Sequence, residues 1–310
     1  MNSLLHLRIS AGYTGRPAVL DGLDLSIERG EILALVGQSG SGKSSLALAA
    51  LKLLGYKGGW VRGEVWFEGV DLMKLSERDM RCYRGRRISL VLQSPASSLN
   101  PWLKLGTQFR EAWVAHRPEE ASLWRCHAEE ALEWVDLPAD FLNRRPGQVS
   151  LGQAQRVLIA MAILHKPALL IADEPTSALD VITQAGILQL FARLNQQLKT
   201  AILYISHDLL SVASLAHRVA ILEQGKVVDS GGVDEIFLYP AHPFTRRLIA
   251  ALPNISWADS LGGLMKGLRV VDSEATMENG PAFAVKDPFA VKDPTVTASR
   301  PDLDSTIGIL

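Results

Sequence analysis

The chemistry in this 310-residue chain begins at Gly37-Gln38-Ser39-Gly40-Ser41-Gly42-Lys43-Ser44, which fits the spacing G-x-x-x-x-G-K-[ST] at every position. Glycines let the backbone wrap closely round a polyphosphate, so that successive N–H groups and a helix N-terminus face its anionic oxygens. Gly37 through Ser44, with Ser45 following, read as a polyphosphate-binding loop in which Lys43 neutralises the β- and γ-phosphates and the Ser44 hydroxyl ligates Mg2+. A second pair of groups follows the apolar run Leu169-Leu170-Ile171-Ala172: the carboxylates of Asp173 and Glu174. Asp173 is placed to hold Mg2+, usually through water, and Glu174 to orient or deprotonate an attacking water. An acidic turn after a strand is common, so this pair takes its meaning from the phosphate loop.

Such a loop works only between a strand and a helix, and the flanking sequence predicts both. Leu23, Leu25 and Ile27 alternate with polar residues, Glu28-Arg29-Gly30 supplies a turn, and Ile32 to Val36 is a continuous apolar run of strand length. Lys43 to Leu54 carries alanines and leucines at helical spacing without a proline. Further strands are predicted at Val65 to Phe67, Ile88 to Gln93, Ala168 to Ala172 and Ala201 to Ser206, and helices at Phe109 to Val114, Trp124 to Val135 and Ser150 to Leu164. Alternating strands and helices predict an α/β core with a parallel sheet. Beyond Pro253 periodicity fades among prolines, glycines and acidic residues, and residues 254–310 read as a weakly structured tail. It holds two identical hexapeptides in tandem, Phe283 to Pro288 and Phe289 to Pro294, too few for a solenoid and read as a duplicated linker.

Composition narrows the class. Hydrophobic residues at 47% and charged residues at 21% are those of a globular chain, and 32 Lys plus Arg against 33 Asp plus Glu give no electrostatic reason to bind nucleic acid. Two cysteines, Cys82 and Cys126, fit a reducing compartment with free thiols. The N-terminus lacks a secretory pattern, and Lys52, His165, Lys166 and Asp208 interrupt the best apolar runs, so a membrane role requires another chain as anchor.

Five motifs then fall in a telling order: the phosphate loop, Gln93 in Val91-Leu92-Gln93-Ser94-Pro95, Ser150-Leu151-Gly152-Gln153, the segment from Asp173 to Asp180, and Ser206-His207-Asp208. Over about residues 5 to 253 this resembles the ATP-binding cassette ATPases. The resemblance implies a P-loop (RecA-like) parallel-sheet core with an N-terminal antiparallel β subdomain and an inserted α-helical subdomain. The ATPase domain would span 1–253 and the helical subdomain about 95–153. It implies Tyr13 stacked on adenine, and Glu174, His207 and Gln93 as the catalytic set, with Mg2+ on Ser44, Gln93 and Asp173. Two chains of this family pack head to tail, so Ser150, Leu151, Gly152 and Gln153 would complete the partner's ATP site and Asp180 would lie at the dimer seam. The usual Leu-Ser-Gly-Gly-Gln signature reads here Val149-Ser150-Leu151-Gly152-Gln153, altered but usable, with Leu151 expected to slow the partner's site.

Arg84 to Gln93, Ser97 to Pro101 and Tyr239 to Pro253 resemble the dipeptide, oligopeptide and nickel importer branch. That branch implies a peripheral subunit on the cytoplasmic face of the inner membrane. It would drive two integral permeases with a second ATPase chain, identical or not, and serve an extracytoplasmic solute-binding protein indirectly. A soluble cassette ATPase acting on nucleic acid or ribosomes, and a non-hydrolysing regulatory subunit, are the competing readings. The first lacks paired cassettes and a basic surface, and the second is disfavoured by the full set Lys43, Gln93, Asp173, Glu174 and His207. Among other features, the arginines at 78, 81, 84, 86 and 87 read as a solvated face, Cys126-His127 as a helix surface pair, and the seven tryptophans as packing or interface residues, with Trp102 and Trp113 the candidates for permease contact. Because no cysteine follows Cys126, anaerobic purification is expected to give a colourless protein; a brown, visibly absorbing product would mean an iron–sulfur cluster is present.

Overall fold

A computed structural model describes residues 3–252, and the expected tail with its repeated hexapeptide lies outside the described residues. Alternating apolar positions build the first sheet: β1 (Ser3–Tyr13) buries Leu5, Leu7, Ile9 and Ala11, and β2 (Ala18–Glu28) buries Leu23, Leu25 and Ile27. The second sheet begins with β3 (Ile32–Val36), while β4 (Gly59–Phe67) and β5 (Val70–Asp71) complete the first in the antiparallel order β2-β1-β4-β5. The remaining strands are β6 (Ile88–Val91), β7 (Leu169–Asp173), β8 (Ala201–Ser206), β9 (Arg218–Glu223) and β10 (Lys226–Gly232). With β3 they run in the order β10-β9-β3-β8-β7-β6, all parallel except β10.

Strands β3, β7 and β8 are buried at every position, as parallel strands covered on both faces must be. Alternate residues feed two cores. Leu33, Leu35, Leu169, Ile171, Leu203 and Ile205 pack with the antiparallel sheet and with α1 (Lys43–Ala50). Ile32, Ala34, Val36, Leu170, Ala172, Ile202 and Tyr204 face the other way. In chain order the next helices are α2 (Glu77–Arg81), α3 (Pro95–Ser98), α4 (Leu105–Val114), α5 (Trp124–Trp134) and α6 (Leu151–Ile163). Then come α7 (Val181–Leu198), α8 (Leu209–Leu215), α9 (Val233–Leu238) and α10 (Pro243–Ala250). The family-like segment from Tyr239 is fastened to β10, because Asp229 accepts from His242 N (3.1 Å) and Thr245 Oγ1 (2.8 Å).

Several expectations need correction. The helix from Lys43 ends at Ala50, where Lys52 turns into the left-handed region (φ +54°) and a short 3-10 turn, Leu54–Lys57, follows. β6 stops at Val91, its pairing with Ala172 being the last in the ladder, so Gln93 stands outside the strand. The arginine run is not a uniform solvated face. Arg84 donates to Leu51 O (2.7 Å) and Lys52 O (3.2 Å), clamping the carbonyl end of α1, and Arg87 pairs with Glu68. Trp102 is 81% exposed, but Trp113 is buried and cannot meet a permease. Nor is His127 a free surface residue: its ring stacks on Trp113 at 4.1 Å, and His165 stacks on Trp113 too, at 5.0 Å.

Burial pushes the His165 imidazole down to about 4, despite its bond to Ala112 O. An imidazole depressed in the fold is protonated first in the unfolded chain, so its contribution to stability is lost as pH falls from about 6.5 towards 4. Thermal unfolding across that window should fall more steeply in the wild type than in His165→Gln; parallel profiles would remove His165 as the responsible group.

Candidate active site

Parallel pairing delivers the expected residues to one edge. Val36 pairs with Ser206, Asp173 with Ile205 and Val91 with Ala172, so β3, β8, β7 and β6 end together. Immediately past those ends stand Gly37, His207, Glu174 and Gln93, at the carboxyl edge where open α/β sheets place ligands.

The loop from Gly37 enters α1 through Gly42, whose φ of +111° no ordinary side chain adopts readily. A Cβ there would stand 2.7 Å from Leu20 Cδ2 and 3.1 Å from Val19 O, and one at Gly37 would lie 2.4 Å from Leu222 O. No side chain caps α1 and no acidic residue occupies its first turn, so its leading N–H groups face the loop. Lys43 is buried, and its ammonium donates to Gly37 O (2.7 Å) and Gln38 O (2.9 Å). Burial lowers its pKa, against the opposing pull of Glu174 and Asp173. Asp173 is shifted the other way: burial raises its carboxyl, while a hydrogen bond from Ser44 lowers it in part. Two buried acceptors, Asp173 Oδ1 and Ser41 Oγ, have no partner among the described residues. A buried cation resting on carbonyls beside orphaned oxygens is a donor set suited to an anionic phosphate with a hard divalent cation. Tyr13 lies at the rim, its hydroxyl 3.2 Å from Ser45 Oγ.

Glu174 is the most constrained member. Its backbone sits at φ +47°, a conformation costing roughly 1 kcal/mol or more for a side-chain-bearing residue. Its N–H donates to Ile205 O at 2.9 Å, which pins it beside the end of β8. Gln93 Nε2 donates to one carboxylate oxygen at 3.0 Å, and His207 Nδ1 lies 3.2 Å from the other. The carboxylate is thereby held from β6 on one side and β8 on the other, with its remaining lone pairs open to a water. Ser177, which carried no role in the sequence reading, accepts from the same Gln93 Nε2 at 3.1 Å and donates to Glu174 O at 3.2 Å. Nothing in its type distinguished it from other serines; only the fold brings it to Gln93.

Ser150 and Asp180 stand elsewhere. Ser150 caps α6 with a reciprocal box, its Oγ accepting from Gln153 N (3.2 Å) and Gln153 Oε1 accepting from Ser150 N (3.0 Å). Asp180 caps α7 through Ile182 N, Thr183 N and Thr183 Oγ1, bonds that hold its carboxyl below the usual range. The two helix starts abut, since a Cβ on Gly152 would lie 2.5 Å from Thr183 Cγ2. Among the described residues no hydrogen bond joins Ser150–Gln153 to the loop of residues 37–44.

The sequence profile of the ABC transporter family matches residues 20–177. The oligopeptide transport ATP-binding protein OppD of Bacillus subtilis (strain 168) is 41% identical over 286 residues, 90% of this chain and 79% of OppD. The glutathione import ATP-binding protein GsiA of Escherichia coli (strain K12) is 41% identical over 259 residues; the match takes in 81% of this chain but only 40% of GsiA. Among solved structures, the ATP-binding cassette MJ0796, a dimer in a post-hydrolysis state with ADP and Pi, shares 28% identity. It covers 74% of this chain and 98% of its own length at a TM-score of 0.64. CbiO1 from Clostridium perfringens shares the fold at 24% identity and TM-score 0.67, over 86% of this chain and all of that one.

Backbone strain and steric contact can be separated at two glycines of the loop. Gly40 has φ +83° and open space around it, whereas Gly42 adds close contacts to its strain. Without nucleotide, Gly40→Ala is expected to cost about 1 kcal/mol and Gly42→Ala about 3 kcal/mol by urea unfolding. Equal losses would show that contact with Val19 and Leu20 does not shape the loop.

Proposed function

The chain belongs to the ABC transporter family, and from that premise we propose that it is the ATP-hydrolysing subunit of an importer for peptide-like solutes. The observation that carries hydrolysis is the clasp on Glu174, a carboxylate oriented from both sides at the rim of the phosphate loop. The solute class rests on OppD and GsiA, whose names specify an oligopeptide and glutathione, itself a small peptide.

In this reading Gly37 through Ser45 cradle the triphosphate, Lys43 exchanges its loop carbonyls for phosphate oxygens, and Tyr13 stacks on the adenine. Ser44, Asp173 and Gln93 would hold Mg2+, which supplies charge neutralisation at the phosphates; the orphaned Asp173 Oδ1 fits that task. Glu174 accepts a proton from water as the water oxygen bonds to the γ-phosphorus and the bond to the ADP oxygen breaks. His207 and Gln93 keep that carboxylate turned towards the water. The segment of about residues 95–153 acts as a helical lobe within an ATPase domain of residues 1–253.

The ATP site is completed by a second ATPase chain through Ser150, Leu151, Gly152 and Gln153, with Asp180 at the seam. Support comes from Val181 and Ile182 beside Asp180, aliphatic residues 82% and 86% exposed, and from the dimeric state of MJ0796. Two integral permease chains anchor the protein at the cytoplasmic face in this reading, which OppD and GsiA, transport and import ATP-binding proteins by name, support; no described helix is itself long and apolar enough to cross a membrane. Leu92, next to Gln93, and Trp102, beyond α3, are exposed apolar residues that offer the permease a hold. A solute-binding protein acts through the permeases, and nucleic acid has no part.

Glu174→Gln should retain ATP while turnover falls by about two orders of magnitude or more. The same tagged variant, drawn with ATP and Mg2+ from detergent-solubilised membranes of its own cells, should bring down two multi-span permeases. Capture of ribosomal or other non-membrane partners alone would contradict the importer reading.

A further inference from the structure

Behind the clasp on Glu174 stands a second set of polar contacts that the proposed chemistry does not use. It centres on Tyr204 of β8, the largest fully enclosed side chain among the described residues. The residues beside it in the sheet are Ala34 and Ala172, whose small side chains leave its ring room to meet Phe191 edge-on, 6.1 Å between centroids. A phenol this deep carries its hydroxyl into the interior, where an unpaired polar group is costly. Three further buried hydroxyls stand with it, those of Thr176, Ser206 and Ser211. Their protons can be assigned. Ser211 Oγ donates to Asp208 O at 2.8 Å, because a carbonyl only accepts, and Tyr204 therefore donates to Ser211 Oγ at 3.2 Å. With the phenol proton spent, Thr176 Oγ1, 3.2 Å from the phenol oxygen, is the donor of that contact. Ser206 Oγ lies 3.5 Å from Ser211 Oγ and accepts from Asp208 N at 3.0 Å. Burial pushes the phenol above its ordinary pKa, so its donor is not lost to ionisation.

We propose that Tyr204 is a positioning residue for ATP hydrolysis: its hydroxyl ties the turn that carries Glu174 to the turn that carries His207, and so sets the spacing of the two groups. The proposal rests on the hydrolytic reading above. Thr176 follows Glu174 by two residues, in a turn closed by Ser177 N on Glu174 O (3.3 Å) and Leu179 N on Thr176 O (3.1 Å). On the other side His207 is exposed, while its chain neighbours Ser206 and Asp208 carry the network. Asp208 is a firm anchor, since its carboxylate accepts from Gln184 Nε2 at 2.7 Å and from Leu210 N at 3.0 Å. Bonds in such a chain reinforce one another, and removing an inner member leaves its neighbours short of a partner. Phenylalanine at 204 would keep the ring on Phe191 but deprive Thr176 of its acceptor. The turn behind Glu174 is then released, and the 3.2 Å approach of His207 to the carboxylate is no longer fixed. A displaced base is felt in turnover. Binding of ATP draws on residues 37–45, to which none of these four hydroxyls bonds among the described residues.

The test uses the full chain in its membrane complex, with kcat and KM for ATP measured well below the melting temperature of each variant. The wild type is compared with Tyr204→Phe, Thr176→Val, the double variant and Thr176→Ser. Tyr204→Phe and Thr176→Val should each lower kcat about fivefold or more, with KM within about twofold of the wild type. The double variant should be no slower than the slower single one, and Thr176→Ser, which keeps the hydroxyl, should run near the wild-type rate. A tyrosine that only packs the core would show a lower melting temperature at wild-type kcat. That result overturns the proposal, as do losses that multiply in the double variant. Should Tyr204→Phe fail to fold, Thr176→Val, which keeps the size and shape of the side chain, decides in its place. Absence of ATP turnover in the wild type would instead overturn the hydrolytic reading on which the proposal rests.

Discussion

Everything at the candidate site depends on the parallel register of four adjacent strands. Because Val36 faces Ser206, Ile205 faces Asp173 and Ala172 faces Val91, the chain leaves β3, β8, β7 and β6 at one level. A slip of one residue in any of them would turn its side chains to the opposite face and carry Gly37, His207, Glu174 or Gln93 away from the others. The register is protected by burial on both faces of the three central strands, whose alternate residues enter two separate cores. Stability and chemistry are thus set by the same pairing, and the left-handed turn at Glu174 is tolerated because the strand ends around it leave no other course.

Within that frame, two groups are poised by what surrounds them. Burial disfavours the charge on Lys43 and on Asp173 alike, moving their pKa values in opposite directions. Each is partly compensated, Lys43 by two loop carbonyls and Asp173 by Ser44, yet oxygens of Asp173 and Ser41 stay unpaired. In the proposed function a triphosphate with its cation would satisfy all of these at once, making ligand binding and stabilisation of the loop one equilibrium. The outer segments follow a different logic: Ser150 and Asp180 satisfy their own helix starts and turn an aliphatic rim outwards.

Much of this was legible in sequence where local chemistry demands a residue type. The glycine-lysine-serine spacing located the loop between β3 and α1, and continuous apolar runs located β3, β7 and β8 to within a residue or so. What was not legible depended on partners distant in the chain. Arg84 and Arg87 read as solvated because nothing local reveals the carbonyls at the end of α1 or the carboxylate of Glu68. His127 read as a surface group, and Trp113 as a candidate for permease contact as readily as for packing, because a stack assembled from α4, α5 and the end of α6 has no periodic signature. Ser177 escaped for the same reason. β1, although strongly alternating, was not read as a strand, and its pairing with β2 and β4 completes the antiparallel sheet that the family resemblance implied.

The central claim is that Gln93 and His207 act through a single carboxylate, that of Glu174. A double-mutant cycle in ATP turnover tests it most directly, with Gln93→Ala, His207→Ala and the double variant compared at saturating ATP. If both residues serve to hold Glu174, removing the second after the first costs little, and the double variant loses far less than the product of the two single losses. Losses that multiply would mean the two side chains act independently, and the clasp on Glu174 would not be the device that drives hydrolysis.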